Sequence, residues 1–322
     1  MTFIHEDKDF HNLIGIVAEV TGISRALIEK DYWVVHSLWA LHDGRFEVWF
    51  KGGTSLSKGF GLIERFSEDL DLKVELRDRD AIPPVNWKKD KPQHVSKRVI
   101  WWQQLAAMIR VAAADVVVDR EPWRKDGPDS KAHSACLRVL YPGRHVVELP
   151  GHNPPYVKLE LGDARVLPFV ARPVSSFIHD HLTSLGQLVG FVDNRPHEVR
   201  HVHPWVTLLE KLSAIMKWYG QSHVGAARFV RHYEDAARIA AADLPPPQGY
   251  TLATLASEMR ATTLRFIPAP DDPCLSLADP GRRNELERAH QDLDGMYWGP
   301  RQTLDEACAG LREWLARAAF LE

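Results

Sequence analysis

The stretch FKGGTSLSKGFGLIERFSEDLDLKVEL, residues 50 to 76, holds the side chains of this chain best suited to chemistry. Asp69 and Asp71 flank a single leucine. In a strand, successive side chains alternate between faces, so the two carboxylates share one face while Leu70 and Leu72 take the other. Carboxylates about 7 Å apart along a strand repel one another, and a divalent cation between them relieves that repulsion. Just upstream, Lys51-Gly52-Gly53-Thr54-Ser55 joins an aromatic and β-branched run to a helical one. Paired glycines allow close backbone approach, a helix start presents N–H groups and a positive dipole end, and Thr54 and Ser55 add hydroxyls. That is a seat for phosphate. The spacing is not that of a P-loop. Each half alone has an ordinary explanation, a turn before a helix or a solvated strand face. Together they put phosphate and metal on one sheet edge.

Phosphoryl or nucleotidyl transfer by two metal ions calls for a third carboxylate. Glu160 in YVKLELG is the candidate, sharing a face with Lys158 while Val157, Leu159 and Leu161 face a core. The alternative is an exposed strand with ordinary alternating charge. Lys211 lies in an apolar run, WVTLLEKLSAI, so its charge must find a partner or solvent, with Glu210 the nearest choice. Arg231, His232 and Asp235 fall within about one helical turn, and Arg231 with Asp235 has the spacing of a surface ion pair. Glu29-Lys30-Asp31 reads first as a solvated or cap-stabilising cluster. Lys88, Lys89, Lys91, Lys97 and Arg98 form the densest basic segment, interleaved with Trp87, Trp101 and Trp102. Lysines for phosphates and indoles for stacking suit an unpaired RNA end, the alternative being a solvated lysine loop beside core tryptophans. A weaker patch is Arg120, Arg124 and Lys125 around Trp123.

Elements must hold these groups in place. Periodicity predicts helices over 10–21 and 24–41, the first broken by Gly22 and the second capped by Ser24. A strand follows over RFEVWF, then a helix over 55–64, a strand over DLDLKVEL, a polar loop over 77–94 and a helix over 95–114. ACLRVLYPG and PYVKLELG read as further strands. After RPVSSFIHDHL the pattern is helical: 204–220, 222–242, 251–260, 281–296 and 303–319. TGISRALIEKDYWV has the outline of a helix-turn-helix, but large apolar residues on both faces of its second helix favour packing over DNA binding. The fold class is α+β, with an N-terminal domain over 1–180 and a helical C-terminal domain over 181–322.

The 322 residues suffice for a sizeable core, and 45% hydrophobic with 26% charged residues is ordinary for a globular protein. A net charge of −3 gives no global basic field, so a nucleic-acid partner needs a local patch. The three scattered cysteines suit neither a disulfide framework nor a zinc site and fit a reducing cytoplasm. The chain has neither a signal pattern nor an apolar run of about 18 residues, so a cytoplasmic protein without membrane partners is expected.

FKGGTSLSKGF…RFSEDLDL, preceded by IEKDYWV and followed by HPWVTLLEKLSAI and RHYEDAARI, strongly resembles the AbiEii/AbiGii-type nucleotidyltransferase toxins, MenT-like toxins among them, of the DNA polymerase β-like superfamily. The resemblance runs from about residue 28 to 239. It implies a polymerase β-like core, a small mixed sheet flanked by helices, with a helical C-terminal domain completing the site. It implies that Gly52, Gly53, Thr54 and Ser55 form the nucleotide-phosphate turn and that Asp69 and Asp71 hold Mg²⁺ or Mn²⁺. Glu160 aligns less surely as the third metal carboxylate, and the family pattern suggests that Glu29-Lys30-Asp31 buttresses the site instead of being solvated. Lys211 matches a lysine suited to the triphosphate, and Asp235 an aspartate needed for activity. The family's members are toxins opposed by an antitoxin, and some similar enzymes add nucleotides to a tRNA 3′ end. The implied reaction transfers NMP from a nucleoside triphosphate to an RNA 3′-hydroxyl with release of pyrophosphate. Rival readings are a small-molecule or protein hydroxyl as acceptor, and a glycosyltransferase using Asp-x-Asp.

Overall fold

The computed structural model describes residues 1–322 except 68, 146–148, 150–153, 163–164, 243, 265 and 319–322. Its helices are α1 (Phe10–Thr21), α2 (Arg25–Asp43), α3 (Gly52–Lys58), α4 (Pro92–Met108), α5 (Phe177–Ser184), α6 (Pro204–Tyr219), α7 (Arg231–Ala241), α8 (Leu252–Thr262), α9 (Pro273–Ser276), α10 (Pro280–Gln291) and α11 (Leu304–Arg317). Its strands are β1 (Phe46–Lys51), β2 (Asp69–Leu76), β3 (Asp115–Asp119), β4 (Ala135–Leu140), β5 (Val157–Leu161), β6 (Phe169–Arg172) and β7 (Val199–Val202).

Local chemistry accounts for most boundaries. Gly22 closes α1 at φ +71°, and Ser24 caps α2 by accepting the Leu27 N–H. The helix after the glycine turn differs from expectation: α3 begins at Gly52 itself and stops at Lys58. Gly59 and then Gly61, at φ +63°, end it. Pro92 starts α4 earlier than its apolar pattern does, and the helix ends at Met108, short of the expected 114. In place of one helix over 222–242 there is a short 3-10 turn and then α7. Strands β3, β6 and β7 went unpredicted, DVVVD lacking alternation and the other two being only four residues long.

The strands form a seven-stranded mixed sheet in the order β3-β4-β5-β2-β1-β7-β6. β1 pairs antiparallel with β2 and parallel with β7, while β2 pairs parallel with β5. Along β2, buried Leu70, Leu72, Val74 and Leu76 alternate with half-buried Asp69, Asp71, Lys73 and Glu75, as period two requires. α2 packs on β1 and β5. Its Ile28, Val35 and Leu38, fully buried with Leu70 and Leu159, belong to the core.

The chain divides into two compact units. The first comprises 1–59, 67–166 and 171–201, and the second 60–66, 167–170 and 202–322. The second has α6, α7 and α11 at its centre, packed through residues such as Leu209, Leu212, Ala236 and Leu311. Among the described residues, no helix is long and apolar enough to cross a membrane.

Candidate active site

Strand register gathers the carboxylates. Asp71 lies opposite Lys51 on β1 and opposite Glu160 on β5, and Asp69 lies opposite Lys158. Neighbouring strands are about 4.8 Å apart, so Glu160 borders Asp71 although the sequence separates them widely. Lys158 Nζ is 3.5 Å from Asp69 Oδ2 and also bonds Glu160. Burial disfavours that ammonium, but Asp69 and Glu160 outweigh burial and hold it protonated. Burial, reinforced by the charges of Glu160 and Asp69, pushes Asp71 up to about 7 against the pull of Lys51. Three hard oxygen donors on one sheet face, two of which raise the cost of ionising the third, Asp71, are a fitting set for a divalent cation. Among the described residues, no group of three or more His, Cys, Asp or Glu side chains stands ready to hold a metal as it is. Lys158 lies between two of these three, Asp69 and Glu160.

The glycine turn is shaped around the same carboxylate. Gly52 adopts φ +74°, and a Cβ there would lie 1.8 Å from Asp71 Oδ2. Only glycine fits. The next hydroxyls turn inward: Thr54 Oγ1 donates to the Asp69 carbonyl at 2.8 Å, and Ser55 Oγ bonds His201 Nδ1 at 2.8 Å. Thr54 and Ser55 are 4% and 1% exposed, so both serve the fold and are screened from solvent. The helix that begins at Gly52 leaves its first backbone N–H groups without partners inside the helix.

Glu29, Lys30 and Asp31 overturn the expectation of a solvated cluster, because all three are buried. Glu29 accepts the backbone N–H groups of Arg144 and His145, and Lys30 donates to the Pro154 carbonyl just before β5. Asp31 is bonded to Lys58 at 2.6 Å and accepts the Phe177 N–H at 2.9 Å. Burial pushes its carboxyl up, with Lys58 pulling the other way. One helix turn therefore anchors α3 and the approach to β5.

In the second unit, Lys211 and Asp235 meet. Lys211 Nζ lies 2.7 Å from Asp235 Oδ2, and Arg65 clamps the same carboxylate through Nε at 2.8 Å and Nη2 at 2.7 Å. Lys211 thus finds its partner in Asp235, and Asp235 is bonded in turn by Arg65. Burial opposes the Asp235 charge, yet Arg65 and Lys211 hold it far below the usual carboxylate range. Burial pushes the Lys211 ammonium down, and Asp235 offsets this only in part. The adjacent Glu234 is buried as well and accepts from Arg301 at 3.2 Å. RHYED is an interior block and not a surface ion pair.

The basic segment divides in two. Lys88, Lys89, Lys91 and Lys97 are exposed. Arg98 is fully buried and ties down its own loop through the Lys131, Asn86 and Lys89 carbonyls and Asp90. Trp102 is core, its Nε1 donating to the Ala132 carbonyl, while Trp87 and Trp101 are half-buried. In the weaker patch, Arg124 pairs with Glu121 at 2.8 Å.

Three residues were overlooked at the sequence level: Arg65, His201 and Lys158. Lys158 had a signal, its strand parity with Glu160. Arg65 and His201 had none, because their partners are distant in sequence.

A family model described as nucleotidyl transferase AbiEii toxin, type IV TA system, matches residues 39–309. The search of curated proteins gives no match. Among solved structures, MenT4, a nucleotidyltransferase toxin from Mycobacterium tuberculosis H37Rv, is similar at 17% identity and a TM-score of 0.44. The alignment covers 96% of this chain and 99% of that one. That likeness is too remote to transfer any residue's role.

Proposed function

The chain belongs to the AbiEii nucleotidyltransferase toxin family, and from that premise we propose that it transfers NMP from a nucleoside triphosphate to an RNA 3′-hydroxyl, with a tRNA acceptor end as the favoured target. The observation that carries the reading is the register placing Asp69, Asp71 and Glu160 on one face beside a glycine turn built against Asp71. The triphosphate rests on the backbone N–H groups that begin α3, where the helix dipole favours its charge. Asp69, Asp71 and Glu160 would hold a divalent cation. When bound, that cation neutralises phosphate charge and lowers the pKa of the attacking hydroxyl. Glu160 orients the hydroxyl for in-line attack on the α-phosphorus: the new bond forms from the 3′ oxygen as its proton passes to solvent, the bond to the bridging oxygen breaks, and pyrophosphate leaves. Within the second unit, Lys211 is held by Asp235, and Arg65 positions that pair. The exposed lysines at 88, 89 and 91 supply a local field for the RNA backbone.

Incubating the protein with total RNA, Mg²⁺ and each α-labelled nucleoside triphosphate in turn tests the reading. Label is expected on an RNA 3′ end, and both labelling and growth inhibition are expected to vanish in Asp69→Ala and Asp71→Ala while the fold persists. Label on protein or small molecules instead would redirect the acceptor, and wild-type labelling by either variant would remove the carboxylates from the mechanism.

A further inference from the structure

Where β5 ends at Leu161, β2 continues to Leu76, and a cavity of about 420 Å³ opens beside that overhang. Trp87 and Trp101 line it with their planes at 85° and centroids 5.4 Å apart, and Lys73, Glu75, Arg79 and His133 border it. The volume suits a nucleoside-sized ligand. Half-buried indole faces suit a flat ring, and the charged rim offers donors and an acceptor to its edge.

Position decides which base belongs there. Thr54 of the glycine turn sits at the Asp69 level of β2, whereas Lys73 and Gly162 of the cavity lie two residues beyond Asp71 and Glu160 on parallel strands. The cavity therefore begins about 7 Å past the carboxylates, on the side away from the turn. In-line displacement needs the attacking and leaving oxygens on opposite sides of the phosphorus. With the triphosphate on the turn, the acceptor approaches from the cavity side. We infer that this cavity is the subsite for the unpaired 3′-terminal base of the RNA acceptor, an assignment that rests on the nucleotidyl-transfer reading above. Exposed Lys88 and Lys89, directly after Trp87, then meet the acceptor's phosphates.

A short single-stranded RNA ending in 4-thiouridine, irradiated with the full-length protein and mapped by peptide mass spectrometry, reads the subsite without catalysis. Cross-linking to peptides containing Trp87 or Trp101 is expected from this RNA and not from 4-thio-UTP. Cross-linking there by the triphosphate, or by neither probe, overturns the assignment. In transfer assays, Trp101→Ala is expected to raise the KM for RNA by about 5- to 150-fold, the span of one lost stacked base, and to leave the KM for triphosphate unchanged. Trp101→Phe is expected to restore it, and an unchanged RNA KM in Trp101→Ala also overturns the assignment. RNA cross-links in the cavity of a protein that transfers nothing would refute the reaction while keeping the base site. Transfer with RNA cross-links elsewhere would do the reverse.

Discussion

Gly52 carries the tightest constraint of any single residue near the carboxylates. Its positive φ alone would strain any other side chain, and the space its Cβ needs is filled by the Asp71 carboxylate. Gly52→Ala is therefore expected to displace Asp71 and lower the single-turnover transfer rate by about 100-fold or more, the cost of an ångström-scale misplacement. Gly61→Ala is the control. Gly61 also has positive φ, +63°, but nothing lies within 4 Å of its Cβ, so the strain costs stability without touching the site. Equal transfer rates in the two variants would refute the link to Asp71. Other residues show how far type alone informs. Asp69 and Asp71 were legible because strand parity is local. Asp235 was legible as a special residue but not in its bonding, since Arg65 approaches from 170 positions away.

Elements are held by buried charge as much as by apolar packing. α3 has only seven residues, too few to be stable on its own, and Lys58 in its last turn is locked to Asp31 of α2 and lies over the Phe177 ring at 4.0 Å. Lys58→Met keeps the stem and removes the charge, leaving the Asp31 carboxylate buried without its cation. The expected cost is about 3–5 kcal/mol of unfolding free energy in denaturant titration, with a raised KM for the triphosphate because α3 loses its anchor. The double variant Lys58→Met/Asp31→Leu is expected to recover most of that stability. If Lys58→Met unfolds like the wild type, the clamp is not structural. The long elements α2, β2 and α6 were readable because their apolar periods run for several repeats. β3, β6 and β7 were not, since DVVVD does not alternate as VKLEL does and the four-residue FVAR and VRHV are too short to show a period.

For the whole molecule, buried histidines link stability to pH. His36 accepts from Asn194 at Nδ1 and bonds the Ala112 carbonyl through Nε2, and His179 lies between Ser176 and Asn194. Each is fixed as a neutral tautomer with no room for a second proton. Burial pushes His36, His179 and His201 down to about 4. With folded pKa values below that of the unfolded chain, the unfolded state binds protons first as pH falls. The histidine contribution is thus complete above about pH 6.5 and declines toward pH 4, by about 2 kcal/mol per histidine between pH 7 and pH 5, while Asp71, raised to about 7, works in the opposite direction. Denaturant midpoints across that range check this, and His179→Gln is expected to flatten the slope. A midpoint independent of pH would show that the native state takes up protons over that range as readily as the unfolded chain.

By itself the sequence determined the chemistry on offer: a glycine turn, a carboxylate pair on one strand face, an apolar face behind it and a lysine-rich loop with indoles. All of these follow from spacing within about a dozen residues, where backbone geometry is nearly fixed by local sterics. Only the tertiary structure decided which groups meet: Glu160 and Lys158 beside Asp71 and Asp69, Asp31 on Lys58, Arg65 on Asp235, and Thr54 and Ser55 turned inward. Those pairings depend on strand order and on which charges the core can bury in matched sets, and chain spacing encodes neither.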